Sequence, residues 1–202
     1  MAKAIFISGV IGSGKTTLAE KLSKNYELIL KKENIKDDTV VPKIHHLYST
    51  FDPQTIFEVQ YHFLEDSAGM SDELIGDGIY VFDTYPFVSQ MVFLESLRSL
   101  HMITEEQFLI LRDKLNECLK PTTLLEHLHI HCTTPKDIFT RILNRKSFES
   151  HSFDSYGKPN PDLIRLLEEL DTTYYNLALT PETIFPEDPT FTRKIKSFVY
   201  GN

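Results

Sequence analysis

The run Gly9-Val10-Ile11-Gly12-Ser13-Gly14-Lys15-Thr16 constrains this chain more than any other feature. It matches G-x-x-x-x-G-K-[ST] in full. The apolar stretch Lys3–Ser8 (KAIFIS) precedes it and reads as a buried strand. Residues 15–25 follow with Leu18, Ala19 and Leu22 on one helical face. A strand, a glycine turn and a helix in that order aim backbone N–H groups at phosphate oxygens, and the helix N-terminus adds its dipole. Lys15 is then placed to reach the β- and γ-phosphates, and the Thr16 hydroxyl to ligate Mg²⁺. Gly9, Gly12, Ser13, Gly14, Lys15, Thr16 and Thr17 form the expected ATP-binding segment. The alternative, a glycine-rich turn with an incidental Lys-Thr, does not account for both flanking elements.

Short apolar runs alternate with longer periodic segments along the rest of the chain, which predicts an α/β fold. Strands are expected at 26–32, 79–83 and 124–132, with a last short one at 183–185. Asp52-Pro53 opens a helix, with Asp52 as N-cap and proline in the first position. An apolar helix runs to Leu100, and Thr104-Glu-Glu-Gln107 has the form of a capping box for a helix to about Leu119. Further helices are expected at 134–145 and from Pro161 to about Leu177. Residues 147–158 are polar, carry Gly157 and read as a mobile loop. The expected architecture is a P-loop NTPase-type parallel sheet of about five strands, with helices on both faces and a small lid. It forms one domain over 1–202, with the lid at about 141–158.

At 202 residues and a net charge of −8, the chain lacks the clustered positive charge that nucleic acid or an anionic membrane demands. No apolar stretch approaches the roughly 20 residues of a membrane helix, and the N-terminus has no signal-peptide pattern. Two cysteines cannot make a disulfide framework, which predicts a reduced, cytoplasmic protein.

Several side chains carry candidate chemistry. Asp83 ends the strand IYVFD, where an acid beside a P-loop anchors Mg²⁺ or caps the next helix. Arg141 and Arg145 share a helical face, followed by Lys146. They form either a clamp for the transferring phosphate or a solvated helix end. Glu33 stands past the second strand, either as a general base at the carboxyl end of the sheet or as an exposed acid. Gln60 shares a stripe with Ile56, Phe63 and Leu64, where an amide reads the edge of a base or bonds to backbone. His127, His129 and His131 alternate on one face of a strand, a geometry able to bind Zn²⁺, but helix cover over a central strand makes packing or a loop-end role the default.

In order and spacing these residues resemble the P-loop deoxyribonucleoside kinases. The resemblance implies that Glu33 is the general base, although the family's Glu-Pro reads Glu33-Asn34 here. It implies that Gln60 reads the base and that Phe93, ten residues after Asp83, stacks on it. Tyr48 and Glu149 are the nearest matches to the pair that holds the sugar 3′-hydroxyl. The family's acid-Arg-Ser triplet reads Asp83-Thr84-Tyr85, and its third lid arginine is Ser147, so two cations of the pattern are missing. Family members that prefer purines or cytosine place Arg and Asp where this chain has Ser67 and Ser89. That implies a roomy pocket with activity on thymidine or deoxycytidine at least comparable to that on purine deoxynucleosides. The turn Pro186-Glu-Asp-Pro189 falls where the family's chain passes over adenine.

The expected function is transfer of the ATP γ-phosphoryl to the 5′-hydroxyl of a deoxynucleoside, in nucleoside salvage, with Mg²⁺. Glu33, Lys15, Arg141 and Arg145 are the catalytic set, and Thr16 with Asp83 the metal set. Two alternatives stay open: a nucleoside-monophosphate kinase of thymidylate kinase type, or a nucleotide-binding regulatory protein with little turnover. Apolar helices at 87–100 and 108–119 have enough apolar surface to pair across a homodimer.

Overall fold

Five of the six residues of β1 (Lys3–Ser8) are buried, which places this strand inside the sheet. It pairs in parallel with β3 (Ile79–Phe82) on one side and β4 (Glu126–His131) on the other. β2 (Ile29–Lys31) completes a four-stranded order β2-β3-β1-β4. The expected fifth strand at 183–185 is reduced to one parallel bridge between Ile130 and Ile184. The protein is described by a computed structural model over residues 2–32, 39–72, 77–118, 126–145 and 148–201. Around the sheet stand α1 (Lys15–Tyr26), α2 (Val41–Thr50), α3 (Pro53–Asp72), α4 (Pro86–Ser99), α5 (Glu105–Cys118), α6 (Ile138–Arg145), α7 (Pro161–Thr173) and α8 (Phe191–Tyr200). No described helix is long and apolar enough to cross a membrane.

Strand periodicity divides the core. Ile5 and Ile7 point to one face, where Val81 and Ile130 join Ala19 and Leu22 of α1 and Ile195 of α8. Ala4 and Phe6 point the other way with Tyr80 and Phe82, and Tyr85 stacks on Phe6 at 4.4 Å. The largest apolar cluster belongs to helices: Ile44 and Leu47, Ile56, Val59 and Leu64, Val92 and Leu97, Phe108 and Leu111, Leu166 and Leu170. Each such side chain is worth about 1.5–3 kcal/mol on burial. This cluster consumes the inward faces of α4 and α5, leaving Leu109 and Ile110 exposed on α5.

The local signals at helix starts act as expected. Asp52 Oδ2 accepts from the Thr55 amide at 2.8 Å, capping α3. The Thr104 amide donates to Gln107 Oε1 at 2.9 Å, and the Gln107 amide to Thr104 Oγ1 at 3.2 Å, closing the capping box.

Other boundaries need correction. The strand expected at 26–32 is only Ile29–Lys31, because α1 continues to Tyr26 and ends at Glu27 with φ 55°. The helix expected from Thr134 begins at Ile138, after a turn. α7 stops at Thr173 and passes into one π-helical turn, Tyr174–Ala178. Helix α2 was not anticipated at all.

The alternating histidines of β4 are engaged by hydroxyls. Ser8 Oγ lies 2.6 Å from His129 Nε2 and 2.9 Å from His131 Nδ1, donating to one ring and accepting from the other. Thr183 Oγ1 is 3.2 Å from His129 Nδ1. Burial pushes both imidazoles down to about 4, so they stand neutral in the fold.

Candidate active site

The carboxyl ends of β1, β2 and β3 open on one cavity of about 810 Å³. Open parallel sheets present their ligand crevice at this edge. The phosphate wall is built by the turn after β1. Gly9 has φ 138°, and a Cβ there would meet the Cys132 carbonyl oxygen at 2.5 Å, so only glycine lets the loop leave the sheet. Gly14, at φ 101°, caps α1 without a side chain, and the first turn of α1 carries no acid. The helix N-terminus is thereby left to an external anion. Lys15 Nζ donates to the Gly9 and Val10 carbonyls, each at 2.9 Å, which lays the ammonium across the loop. Cys132, buried behind Gly9, has its thiol pushed up to about 11 by burial and is no nucleophile.

Thr16 Oγ1 donates to Asp83 Oδ2 at 3.3 Å. A hydroxyl and a carboxylate are hard oxygen donors, and this pair suits Mg²⁺. Thr84 lines the cavity next to Asp83, as does Lys32, the residue after β2. Lys32 was not singled out in the sequence. Its Nζ pairs with Glu20 at 2.5 Å, and that bond, with Asp83 adding, raises its pKa. Arg141 and Arg145, one turn apart on α6, both line the same cavity, with Asn144 between them. Arg141 Nε also donates to Asp137 at 2.9 Å. Glu33, Lys146 and Ser147 lie outside the described residues.

Helices form the opposite wall. Gln60 on α3 is 3% exposed and lines the cavity with Val59 and Phe63, and Phe93 lines it from α4. Tyr48 on α2 and Glu149 from the 3₁₀ turn Phe148–Ser152 also reach it. A hydrogen bond from Ser152 Oγ to the Tyr48 carbonyl at 2.6 Å ties that turn to α2. Ser89 lines the cavity and accepts from the Tyr174 hydroxyl at 3.2 Å; the side chain of Ser67 is not described. The Pro186–Pro189 turn holds Thr133 through Glu187 at 2.9 Å and does not line the cavity among the described residues.

Sequence reasoning missed Tyr174 and Gln90. Gln90 is 6% exposed and lines the cavity from α4. The signal was present: Phe87, Phe93 and Leu94 stand at i±3 and i+4 of Gln90, the same stripe that marked Gln60.

Among the described residues, three buried side-chain polar atoms lack a hydrogen-bond partner: Ser13 Oγ, Gln90 Oε1 and Glu149 Oε2. Gln90 and Glu149 line the cavity, and Ser13 sits in the loop beside it. Native interiors rarely keep such atoms without reason. A phosphate cradle facing an apolar slot with stranded polar atoms is what a kinase of small molecules requires, and that is the class this fold and cavity define. The deoxynucleoside kinase family model matches residues 5–157, and the chain belongs to that family. It is a kinase that moves a phosphoryl group from a nucleotide to a deoxynucleoside.

Solved structures agree on the fold. Deoxyadenosine kinase from M. mycoides with bound dATP has TM-score 0.70 and 17% identity, over 99% of this chain and 96% of that one. The same enzyme with bound dCTP gives 0.69 and 16%, over 98% and 97%. With dCMP and a flexible dCDP as products it gives 0.65 and 17%, over 98% and 94%. No curated protein matches the chain in sequence.

Proposed function

We propose that the chain transfers the γ-phosphoryl of ATP to the 5′-hydroxyl of a deoxynucleoside seated between the P-loop and helices α2–α4. The observation that carries this reading is the pair of stranded acceptors, Gln90 Oε1 and Glu149 Oε2, in the same cavity as Lys15, Asp83 and Gln60. One domain over 1–202 does the work, with 141–158 as its lid.

Gly9, Gly12, Ser13, Gly14 and Thr17 cradle the ATP phosphates with Lys15, whose ammonium turns from the loop carbonyls to the transferring group. Thr16 and Asp83 would hold Mg²⁺, which when bound offsets charge on the donor phosphates. Arg141 and Arg145 approach from α6 and stabilise the negative charge that develops on the equatorial oxygens. Glu33, four residues beyond Ile29 in β2, takes the proton of the 5′-hydroxyl. Tyr48 and Glu149 hold the sugar 3′-hydroxyl, Gln60 reads the base edge, and Phe93 stacks on the ring. The M. mycoides structures are of one deoxyadenosine kinase bound to adenine and cytosine nucleotides, which supports a nucleoside acceptor here. The homodimer reading places Leu109 and Ile110 of α5 at the subunit contact, in a cytoplasmic protein.

A coupled assay of ADP release, run with deoxynucleosides, with nucleoside monophosphates and with no acceptor, tests the reading. Turnover that appears only with deoxynucleosides is expected. Turnover with monophosphates alone, or none with any acceptor, overturns it.

A further inference from the structure

We propose that Gln90 is a second base reader, whose side-chain carbonyl accepts a hydrogen bond from the exocyclic amino group of the nucleobase, so that the enzyme favours adenine and cytosine over thymine and guanine. The proposal rests on the nucleoside occupying the cavity between the P-loop and α2–α4.

Gln90 is 6% exposed and lines that cavity from α4, one turn before Phe93 and next to Ser89. Its Oε1 is buried with no hydrogen-bond partner among the described residues. Its neighbours on the helical stripe, Phe87, Phe93 and Leu94, offer no donor. The nearby Tyr174 hydroxyl donates instead to Ser89 Oγ. A buried carbonyl left in this condition awaits a donor from a ligand.

The chemistry of the base selects that donor. Adenine and cytosine carry an exocyclic –NH₂ with two hydrogens beside a ring acceptor. Guanine and thymine carry a carbonyl oxygen in the corresponding place. Gln60, with its side-by-side donor and acceptor, pairs with the ring nitrogen and one amino hydrogen. The second amino hydrogen is left over, and Gln90 Oε1 is an acceptor left over in the same cavity. An oxo base instead brings lone pairs toward an acceptor and leaves Gln90 still stranded. A site built around a polar group rejects the ligand that fails to pair it more strongly than an apolar site rejects an extra atom. Ser89, small and neutral, leaves room for either ring size.

The test is a nucleoside panel on the full chain, wild type against Gln90→Met and Gln60→Met, with Tm and the ATP KM as controls for folding and donor binding. Wild type should favour deoxyadenosine and deoxycytidine over thymidine and deoxyguanosine by at least about tenfold in kcat/KM. Gln90→Met should compress that ratio by about tenfold. Deoxyadenosine should also be compared with the purine deoxyriboside that lacks the 6-amino group. Removing the ligand's amine should cost the wild type several-fold more than it costs Gln90→Met, which is the coupling a double-mutant cycle measures. Equal losses on all four nucleosides in Gln90→Met assign the residue to packing and overturn the proposal. So does a wild type that prefers thymidine. Gln60→Met should depress every nucleoside. If Gln60→Met responds and Gln90→Met does not, only the role of Gln90 falls; if neither moves any nucleoside KM, the placement of the nucleoside falls with it.

Discussion

The two walls of the cavity are made in opposite ways. The phosphate wall is contiguous in sequence: Gly9, Gly12 and Gly14 sit in the turn between β1 and α1, and Lys15 and Thr16 open α1. Its ligands are backbone N–H groups and one ammonium, so side-chain spacing and glycine geometry suffice to specify it. The helical wall draws Tyr48 from α2, Gln60 from α3, Gln90 and Phe93 from α4, Glu149 from a 3₁₀ turn and Tyr174 from a π turn. Apart from Gln90 and Phe93 they stand far apart in the chain, and only the packing of the helical cluster brings them together. On the proposed reading, phosphate binding is therefore a local device, whereas choice of acceptor is a property of the tertiary core.

Lys15→Ala strikes the local device and should have the largest effect. Turnover should fall roughly 10³–10⁵-fold, the range seen for losing a cation at a transferring phosphate. Tm should hold, because Lys15 is only half-buried and its bonds to the Gly9 and Val10 carbonyls stay within one short turn. A variant with near wild-type turnover would show that the loop does not hold the reacting phosphate.

Glu33→Gln tests the proposed general base. The amide has nearly the carboxylate's shape but accepts no proton, so kcat should drop roughly 10²–10⁴-fold with nucleoside KM little changed. A rise in KM with kcat nearly intact would make Glu33 a binding residue.

Gln60→Ala strikes the tertiary wall alone. Nucleosides should lose about 1–3 kcal/mol in kcat/KM while the ATP KM stays put. A matching loss in ATP affinity would blur the division between the walls.

Behind the phosphate wall, protons provide a gentler probe. His129 and His131 sit near pKa 4 in the fold, against about 6.5 in an unfolded chain. Between those values the unfolded chain binds protons that the folded one does not, so stability should be full above about pH 6.5 and decline as pH falls toward 4. The slope is at most about 1.4 kcal/mol per pH unit for each histidine. Urea melts from pH 7.5 to 4 should show this decline, and His131→Gln should flatten it. An unchanged slope in the variant would assign the acid sensitivity elsewhere.

The smallest effect is expected from Thr84→Arg, which restores a cation beside Asp83. A few-fold gain in kcat would mean that the native site is short of positive charge at the phosphoryl group. No gain, combined with a loss of activity in Lys32→Ala, would show that Lys32 already fills that place.

Much of the phosphate end was legible in the residues. β1 ends where its apolar run ends, and the capping groups of Asp52 and Thr104 act over three residues, so local chemistry decides them. The acceptor end was legible only in part. Gln60 stood out because an amide on an apolar stripe is costly unless partnered, but the same stripe around Gln90 passed unnoticed. Helix α2 escaped because nothing local announces its start: its N-cap is Val40, which offers no side-chain cap to the first amides. Its fold depends on Ile44 and Leu47 packing into the helical cluster.

Local sequence dictated the glycine turn after β1, the strand that leads into it and the caps that start α3 and α5. Each depends on groups only a few residues apart, where backbone geometry leaves few choices. Packing in three dimensions settled which buried amides share a cavity, that His129 and His131 close on Ser8, and that Lys32 stands near Asp83. Those relations join residues distant in the chain, and burial in a common core is the physical event that creates them.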